Sequence, residues 1–264
     1  PSRDRLDLDD LERLGALTPA VREVLRALVR SRVPFLVTGG TGTGKSTLLA
    51  AMLHEALPQE RIVVVEDVLE LAVDHPHVVH LQSRHANSEG AGAIDLTALV
   101  RQSLRMRPDR IVLGECRGEE IRELLQALNT GHDGGCGTVH ANTAADVPAR
   151  LEALGALGGL DRGALAAQVA SALEVVVLGG HGAGVDTQLL VVDGEGAERG
   201  AQRRGALRRA LAAAVALDAL VGGEADEVDG TLARGGLGVH DAVPARVLGA
   251  GAVVAAGPVG GGGK

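Results

Sequence analysis

The stretch Gly39-Gly40-Thr41-Gly42-Thr43-Gly44-Lys45-Ser46, which follows the apolar run Val33 to Val37, decides the fold of this chain. It has the spacing G-x-x-x-x-G-K-S, and a good helix-forming segment, Thr47 to Leu53, comes directly after it. Strand, glycine loop and helix in this order are what a phosphate-binding P-loop requires. The alternative is an ordinary Gly/Thr-rich turn, but every fixed position of the motif is present. The sequence therefore predicts a site for a nucleoside triphosphate.

Each residue type in this loop has a chemical reason. Glycine lets the backbone turn its N–H groups toward a polyphosphate where a Cβ would crowd it. The helix that begins near Lys45 adds the positive end of its dipole. Lys45 supplies a point charge for the β- and γ-phosphates, and the Ser46 hydroxyl is a hard oxygen ligand for Mg²⁺. We therefore expect Mg²⁺ to accompany the nucleotide.

Composition narrows the possible classes of protein. The 264 residues carry a net charge of −8 and contain one Phe, no Tyr and no Trp, so a broad basic field and stacking platforms for nucleic acid are both missing. The two cysteines form no C-x-x-C pair and indicate a reducing compartment without a disulfide framework. No signal-peptide pattern opens the chain. Because the first residue is Pro1, we expect a fragment that lacks an N-terminal portion.

Strands that alternate with helices predict an α/β domain with a mostly parallel sheet covered by helices on both faces. The apolar runs Ile62 to Val65 and Ile111 to Leu113 suit buried parallel strands. Ligands of such sheets lie beyond the carboxyl ends of the strands. The P-loop, Glu66-Asp67 and Glu115 all fall at such ends, so we expect them to converge on one crevice.

Three regions follow from the pattern. We expect linker helices over residues 1–30, a nucleotide-binding α/β domain over 31–183, and a C-terminal extension over 184–264 that is partly disordered. Within the extension, residues 185–192 could form a strand and residues 202–221 a helix. The apolar stretch 247–263 is rich in glycine and interrupted by Pro258, which makes it shorter and more broken than a membrane span.

Hydrolysis of a γ-phosphate needs a carboxylate that orients or deprotonates water. Glu115 is the leading candidate because it ends an apolar strand at the expected crevice, although it could be a solvated acid at a strand end. Many P-loop ATPases carry an Asp before this Glu, where this chain has Gly114. Metal support must then come from elsewhere, and Glu66 and Asp67 are the expected suppliers, with Glu70 as a further candidate.

Histidines and arginines leave alternatives open. A zinc site formed by His75, His77, His80 and His85 is conceivable, but no cysteine and no helical i, i+4 pair accompanies them, so a polar strand and loop surface is the favoured interpretation. His132 and His140 bracket a predicted strand and could reach the phosphates, face a subunit boundary, or cap turns. Exposed arginines are usually solvated, whereas one aimed at a γ-phosphate from a neighbouring subunit would aid catalysis. The arginines in question are Arg84, Arg101, Arg105, Arg107, Arg110 and Arg117.

Five ordered motifs together resemble the secretion-ATPase superfamily, the motors of type II and type IV secretion and of type IV pili. The motifs are GGTGTGKST, IVVVEDVLEL, HPHVVHLQSRHANSEGAG, LRMRPDRIVLGECRG and ALNTGHDGGCGTVHAN. Within that superfamily the chain is most similar to the Tad/Flp pilus branch. The resemblance covers roughly Leu6 to Leu178. It implies a RecA-like P-loop domain that hydrolyses ATP with Mg²⁺ in a hexameric ring.

The resemblance also implies roles for individual residues. Glu115 would be the Walker B acid, Glu66 through Glu70 the Asp box with Glu66 catalytic, and His132 and His140 the His box. Arg84 and Arg117 would be arginines near the nucleotide, and Ser46, Glu66 and Asp67 would hold Mg²⁺. The nucleotide-binding residues would be Gly39, Gly40, Thr41, Gly42, Thr43, Gly44, Lys45, Ser46 and Thr47.

The implied function is ATP-driven pilus assembly or protein secretion by a cytoplasmic motor at the inner membrane, in contact with membrane platform proteins and without nucleic acid. Two departures from the family pattern are the absence of its separate N-terminal domain and the unusual segment after about Gly182. Two alternatives remain. One is a RecA-like ATPase that translocates nucleic acid, and the other is a nucleotide-binding regulator that does not hydrolyse.

Overall fold

A mostly parallel β-sheet carries the fold. The computed structural model describes residues 6–143 and 145–179, together with the backbone of strands at 188–192, 247–248 and 251–256. The strands are β1 (Phe35–Gly39), β2 (Ile62–Glu66), β3 (Val78–Gln82), β4 (Arg110–Cys116), β5 (Cys136–His140), β6 (Val175–Leu178), β7 (Gln188–Val192), β8 (Val247–Leu248) and β9 (Gly251–Ala256). Their order across the sheet is β3-β2-β4-β5-β1-β6-β7-β9-β8. Neighbours among β1 to β6 are all parallel, and β7 pairs antiparallel with β6.

Helices cover both faces of the sheet, which confirms the predicted fold class. The helices are α1 (Leu8–Arg13), α2 (Pro19–Arg30), α3 (Lys45–Leu53), α4 (Leu96–Ser103), α5 (Glu120–Asn129), α6 (Asp146–Leu157) and α7 (Arg162–Ala172). Buried side chains of α1 to α3 form one core against the sheet, and those of α4 to α7 form a second core on the other face. Strands β1 and β2 are buried along their whole length because both of their faces are covered.

Two helix ends and the C-terminal extension have features of their own. Helix α3 ends at Leu53, because the chain beyond it tightens into i to i−3 hydrogen bonds. Helix α4 changes at Leu104 into a short 3₁₀ helix that ends at Met106. Strands β8 and β9 lie within the expected C-terminal extension. Strand β9 pairs in parallel with β7, and its valines 253 and 254 favour an extended backbone. The helix expected over 202–221 lies outside the described residues.

A buried ionic network ties the opposite end of the sheet together, the end where the parallel strands begin. Arg110 is fully buried and pairs with Glu60, which is 4% exposed. The Arg110 guanidinium also donates to the carbonyls of Gly134, at 3.1 Å, and Val29, at 2.6 Å. Arg32 donates to Glu60 at 3.2 Å. In the sequence Arg110 is one of several similar arginines, but in the structure it lies in the core, where a buried charge is costly unless it is paired.

Candidate nucleotide site

A cavity of about 790 Å³ opens at the carboxyl ends of the parallel strands. Its walls combine the P-loop, the ends of β2, β4 and β5, and residues beside α1. Most of the predicted site residues meet in it. These are Thr41, Gly42, Gly44, Lys45, Ser46, Thr47, Glu66, Asp67, Glu70, Glu115, Arg117 and His140. The P-loop therefore converges, as expected, with the two strand ends that carry Glu66, Asp67 and Glu115.

The P-loop adopts a backbone that needs its glycines. Gly42 and Gly44 have φ values of +77° and +82°, in the left-handed region that favours glycine. A Cβ at Gly39 would lie 2.6 Å from the Thr43 hydroxyl oxygen, which itself donates to the Gly40 carbonyl at 2.9 Å. Helix α3 begins at Lys45, so its free backbone N–H groups face the loop.

The Lys45 amine is folded into the loop, where its Nζ donates to the Gly40 carbonyl oxygen at 2.6 Å. Burial lowers the pKa of Lys45, while the charges of Glu115 and Glu70 act in the opposite direction. The amine is therefore close enough to Glu115 to feel its charge. A positive group held between a glycine loop and an acid suits a ligand that carries several negative charges.

Glu66 is a buried acid with one free oxygen. Its side chain is 3% exposed, and Oε1 accepts the backbone N–H groups of Glu70 and Leu71 at 3.0 and 2.9 Å. Oε2 is buried and has no hydrogen-bond partner, and His80 Nδ1 lies 3.5 Å from it. Because an unpaired buried carboxylate oxygen is costly, this atom is a natural ligand for a cation or a water molecule.

The structure explains the Gly114-Glu115 pair. A Cβ at residue 114 would lie 2.6 Å from Cγ of Glu66 and 3.1 Å from its Oε1. The Glu66 side chain therefore fills the space that any side chain at 114 would need. We conclude that Glu66, which comes from β2, brings a carboxylate to the position where many P-loop ATPases have an Asp on the Glu115 strand.

Glu115 enters the cavity with its side chain 29% exposed and pairs with Arg117, whose Nε donates to Oε2 at 2.8 Å. This pairing raises the pKa of Arg117. The predicted roles of both residues, catalytic acid and nucleotide arginine, are compatible with their position. Asp67 also lines the cavity, and the Ser83 hydroxyl donates to its carboxylate.

The residues present fit Mg²⁺. This ion usually binds one or two carboxylates while phosphates and water complete its shell. Ser46, Glu66 and Asp67 share the cavity with the P-loop, and the free Oε2 of Glu66 is the oxygen that lacks a partner. Over residues 6–143 and 145–179 no group of three His, Cys, Asp or Glu side chains could hold a metal alone. A zinc site at His75, His77, His80 and His85 is thus not formed.

The two predicted His-box residues lie at opposite ends of β5. His140 ends the strand, pairs in register with Gly39 and lines the cavity. His132 precedes the strand, and its Nδ1 lies 3.2 Å from the carbonyl of Ala127 at the end of α5. Since β5 alone spans about 13 Å at roughly 3.3 Å per residue, His132 does not reach the cavity of its own chain. Of the alternatives for His132, its contact with the Ala127 carbonyl fits the capping of a helix end.

Arg84 lies away from the cavity. It follows β3, the edge strand of the sheet, and its Nε donates to the carbonyl of Gly92 at 2.7 Å within an exposed hairpin-like loop. Arg84 is not among the residues that line the cavity, although the residue before it, Ser83, donates to Asp67 in the cavity wall. Its assignment as an arginine near the nucleotide stays a prediction.

Sequence reasoning missed several cavity residues. Leu6 and Leu14 bring apolar surface from the region of α1, and Leu14 is 69% exposed. Thr138 lies in the wall although it is only 2% exposed as a residue. Isolated leucines and a threonine inside a strand carry no motif, so only the three-dimensional arrangement identifies them.

Fold and site together define a RecA-like P-loop domain, with a strand inserted between the P-loop strand β1 and the Glu115 strand β4. The family model described as type II/IV secretion system protein matches residues 2–179. This chain therefore belongs to the type II/IV secretion system protein family.

Curated relatives carry names from DNA transfer and secretion. A putative conjugal transfer protein of Mycobacterium tuberculosis is 60% identical over 171 residues, which is 65% of this chain and 49% of that protein. The type IV secretion system protein PtlH of Bordetella pertussis is 36% identical over 206 residues, 72% of this chain and 61% of that protein. The chain thus spans about half the length of the Mycobacterium relative. The narrower Tad/Flp assignment stays a prediction.

Solved structures agree with the fold. The VirB11 ATPase of the Brucella suis type IV secretion system, in complex with sulphate, has a TM-score of 0.53 at 29% identity, covering 67% of this chain and 60% of that one. The pilus retraction motor PilT with bound ADP has a TM-score of 0.53 at 27% identity, covering 79% and 59%. In the part of the chain that the structure describes, no helix is both long and apolar enough to cross a membrane.

Proposed function

We propose that this chain is the catalytic domain of an ATP-hydrolysing motor for secretion, conjugal transfer or pilus assembly. One observation carries the proposal, the meeting of Lys45, Glu66 and Glu115 in one cavity beyond the strand ends. Membership of the type II/IV secretion family supports the motor role. The similar motor PilT was solved with bound ADP, which supports an adenine nucleotide as the substrate of this chain.

The residues divide the work by their chemistry. The backbone N–H groups of the P-loop and the Lys45 amine bind the β- and γ-phosphates once the amine leaves the Gly40 carbonyl. Ser46, Glu66 and Asp67 would hold Mg²⁺, which when bound neutralises charge on the phosphate oxygens. Glu115 accepts a proton from the attacking water or orients it. His140 lies at the end of β5 and can donate to a phosphate oxygen or to the water.

Two substitutions separate binding from hydrolysis. Lys45 contacts phosphates already in the ground state, so Lys45→Ala should weaken ATP binding as well as turnover. Glu115→Gln keeps the shape but loses the basicity, so it should bind ATP normally and hydrolyse it about 10²-fold or more slowly. Nucleotide titration and single-turnover hydrolysis measure both effects. Glu152→Gln changes a half-buried acid on α6 that pairs with Arg162 and does not line the cavity, so as the control it should leave both unchanged.

The outcome can also refute the assignment. A Glu115→Gln chain with near-parental hydrolysis would transfer the catalytic role to Glu66 or Asp67. Binding of ATP without hydrolysis by the parent chain would support the regulator. Chelation of divalent ions should abolish turnover in the parent, because phosphate charge would then be neutralised by Lys45 alone.

We infer that the motor works as a ring, with a hexamer as the expected size, at the cytoplasmic side of the inner membrane and in contact with platform proteins there. Arg84 does not line the cavity of its own chain, and we propose that it acts on the nucleotide of a neighbouring subunit. Arg84→Ala should then lower turnover in the assembled state and leave the nucleotide affinity of the monomer unchanged. Equal turnover at concentrations that assemble the parent would remove Arg84 from the site.

A nucleic-acid-translocating ATPase is the second candidate, because four relatives are named as conjugal transfer proteins. The net charge of −8 and the near absence of aromatic residues argue against direct binding of nucleic acid. Hydrolysis measured with and without single-stranded DNA decides between them. Several-fold stimulation by DNA would favour translocation, and no stimulation would favour the secretion motor.

A further inference from the structure

Strand β4 contains an irregularity at the point where it delivers Glu115. Val112 and Leu113 pair in register with Cys136 and Gly137, but the next pair is Cys116 with Val139. Two residues, Gly114 and Glu115, therefore stand opposite Thr138 alone. This two-against-one arrangement is a β-bulge, which bends a strand and changes the direction of a side chain.

One side of the bulge is held by Thr138. Its hydroxyl donates to the carbonyl oxygen of Gly114 at 2.6 Å, from a residue that is 2% exposed. The bulge interrupts the regular β-ladder, so backbone groups in it need other partners. The Thr138 hydroxyl supplies such a partner immediately before Glu115.

The other side is held by Glu120, in the first turn of α5. Its Oε1 accepts the backbone N–H groups of Arg117 and Gly118, at 2.6 and 2.8 Å. Glu120 is 5% exposed, and a carboxylate at a helix N-terminus is also favoured by the helix dipole. Glu120 thereby fixes the turn that immediately follows the bulge.

These two contacts bracket Glu115, whose own side chain has weak support. Its recorded partner is Arg117, and that side chain is 59% exposed. An ion pair of this exposure does not hold a carboxylate firmly in place. The direction of Glu115 therefore depends on the backbone that carries it.

We propose that Thr138 and Glu120 are positioning residues that hold the bulge so that the Glu115 carboxylate points into the cavity. The catalytic part of this inference rests on the proposed function, since it assumes that Glu115 acts on ATP. Neither residue needs to touch the nucleotide. Their contribution is the geometry of residues 114–118.

Paired variants test the two contacts. Thr138→Val removes the hydroxyl at nearly constant volume, and Thr138→Ser keeps it. Glu120→Leu removes the acceptor, and Glu120→Gln keeps an oxygen that can accept both N–H groups. In the whole chain, the measurements are kcat, KM, the Kd of a non-hydrolysable ATP analogue, thermal unfolding, and hydrogen exchange of the backbone amides of residues 114–118.

We expect Thr138→Val and Glu120→Leu to lower kcat about 10- to 100-fold, the effect of moving a catalytic group by about 1 Å. The Kd of the analogue should stay within about twofold, because the P-loop is untouched. Amide exchange of Arg117 and Gly118 should accelerate about five- to tenfold in Glu120→Leu, since each loses a hydrogen bond. Thr138→Ser and Glu120→Gln should restore kcat and exchange to near parental values.

Each other outcome has a defined meaning. Parental kcat in Thr138→Val and Glu120→Leu would overturn the proposal. A fall in kcat in Glu120→Leu without faster exchange of the Arg117 and Gly118 amides would assign the Glu120 side chain to the reaction itself and would also overturn the proposal. If both members of a pair lose kcat together with thermal stability, the residues are structural and the proposal fails. If the parent does not hydrolyse ATP, the proposed function fails, and the exchange data alone still decide whether these contacts hold the bulge.

Discussion

Adding one methyl group at Gly114 should displace the acid that shares the cavity with Glu115. In Gly114→Ala, the new Cβ would lie 2.6 Å from Cγ of Glu66, whereas carbon atoms in contact are about 3.5 to 4.0 Å apart. Glu66 must therefore move by about 1 Å. It is pinned by two backbone N–H groups, and the shift breaks or weakens both hydrogen bonds. Each is worth about 1 kcal/mol, so we expect a loss of about 1–3 kcal/mol in the free energy of unfolding.

The kinetic effect should exceed the effect on stability. A displacement of about 1 Å in a catalytic or metal-holding carboxylate can lower the rate about 10²-fold. Single-turnover hydrolysis at saturating ATP and Mg²⁺ measures this loss, and urea unfolding measures the stability. ATP affinity should change much less than the rate, because Lys45 and the P-loop backbone remain in place.

Gly155→Ala is the matched control. There the new Cβ would meet the side chain of Leu165 at 2.9 Å in the core between α6 and α7, away from the cavity. It should cost a similar amount of stability through overpacking and leave the single-turnover rate unchanged. Should Gly114→Ala hydrolyse ATP at the parental rate, Glu66 either moves without consequence or does not serve the reaction.

The remaining predictions concern buried and ionised groups. Arg110→Ala should lower the free energy of unfolding by about 3–5 kcal/mol, because it removes the fully buried partner of Glu60, leaves that carboxylate only the partly exposed Arg32, and opens a cavity. The exposed-pair control Arg162→Ala should cost less than about 1 kcal/mol in urea unfolding. The pKa of Asp109 is lowered, chiefly by the backbone N–H of Arg61 and also by Arg32, so its stabilisation is present above its usual pKa of 3.8 and is lost as the pH falls through the lower folded value. In denaturant titrations, the stability difference between the parent and Asp109→Asn should therefore stay constant well above pH 3.8 and shrink as the pH falls through and below 3.8. A difference that stays constant through this range would contradict the lowered pKa. Burial raises the pKa of Cys136 to about 12 and that of Cys116 well above its usual value, so a thiol reagent at neutral pH should label neither cysteine until denaturant is added.

Those site residues that belong to one continuous sequence motif could be predicted from the sequence. The P-loop needs glycines and a lysine at fixed spacing, and strand ends that carry acids follow apolar runs, so Lys45, Glu66 and Glu115 could all be found from the sequence. The sheet and its helical layers followed from the same alternation. The acids at 67 and 70 were found for the same reason, since they directly follow β2.

Relations between distant segments were not predictable in this way. Both histidines of the 130–140 segment read alike in sequence, and only the length of β5 separates His132 from His140. Arg110 reads as one arginine among many, but the fold buries it against Glu60, fifty residues earlier. In the sequence, Gly114 stands where many P-loop ATPases have an Asp. Only the structure shows that the Glu66 side chain fills the space beside it. These properties depend on which strands become neighbours, and that information is spread over the whole chain.

The bulge at Gly114 and Glu115 also fixes how many residues this part of the chain can contain. Leu113 and Cys116 both face the core under α5, and they can do so only because two residues lie between them where regular alternation allows one. Deleting one of the two would restore regular pairing opposite Thr138. If Gly114 were the residue lost, the Glu115 carboxylate would be forced into the volume that Glu66 already fills, and two acids would compete for one place. The number of residues between Leu113 and the Arg117-Gly118 turn is therefore constrained, as is the identity of Glu115. We expect insertions and deletions to be tolerated in the exposed 85–93 loop but not between Leu113 and Gly118.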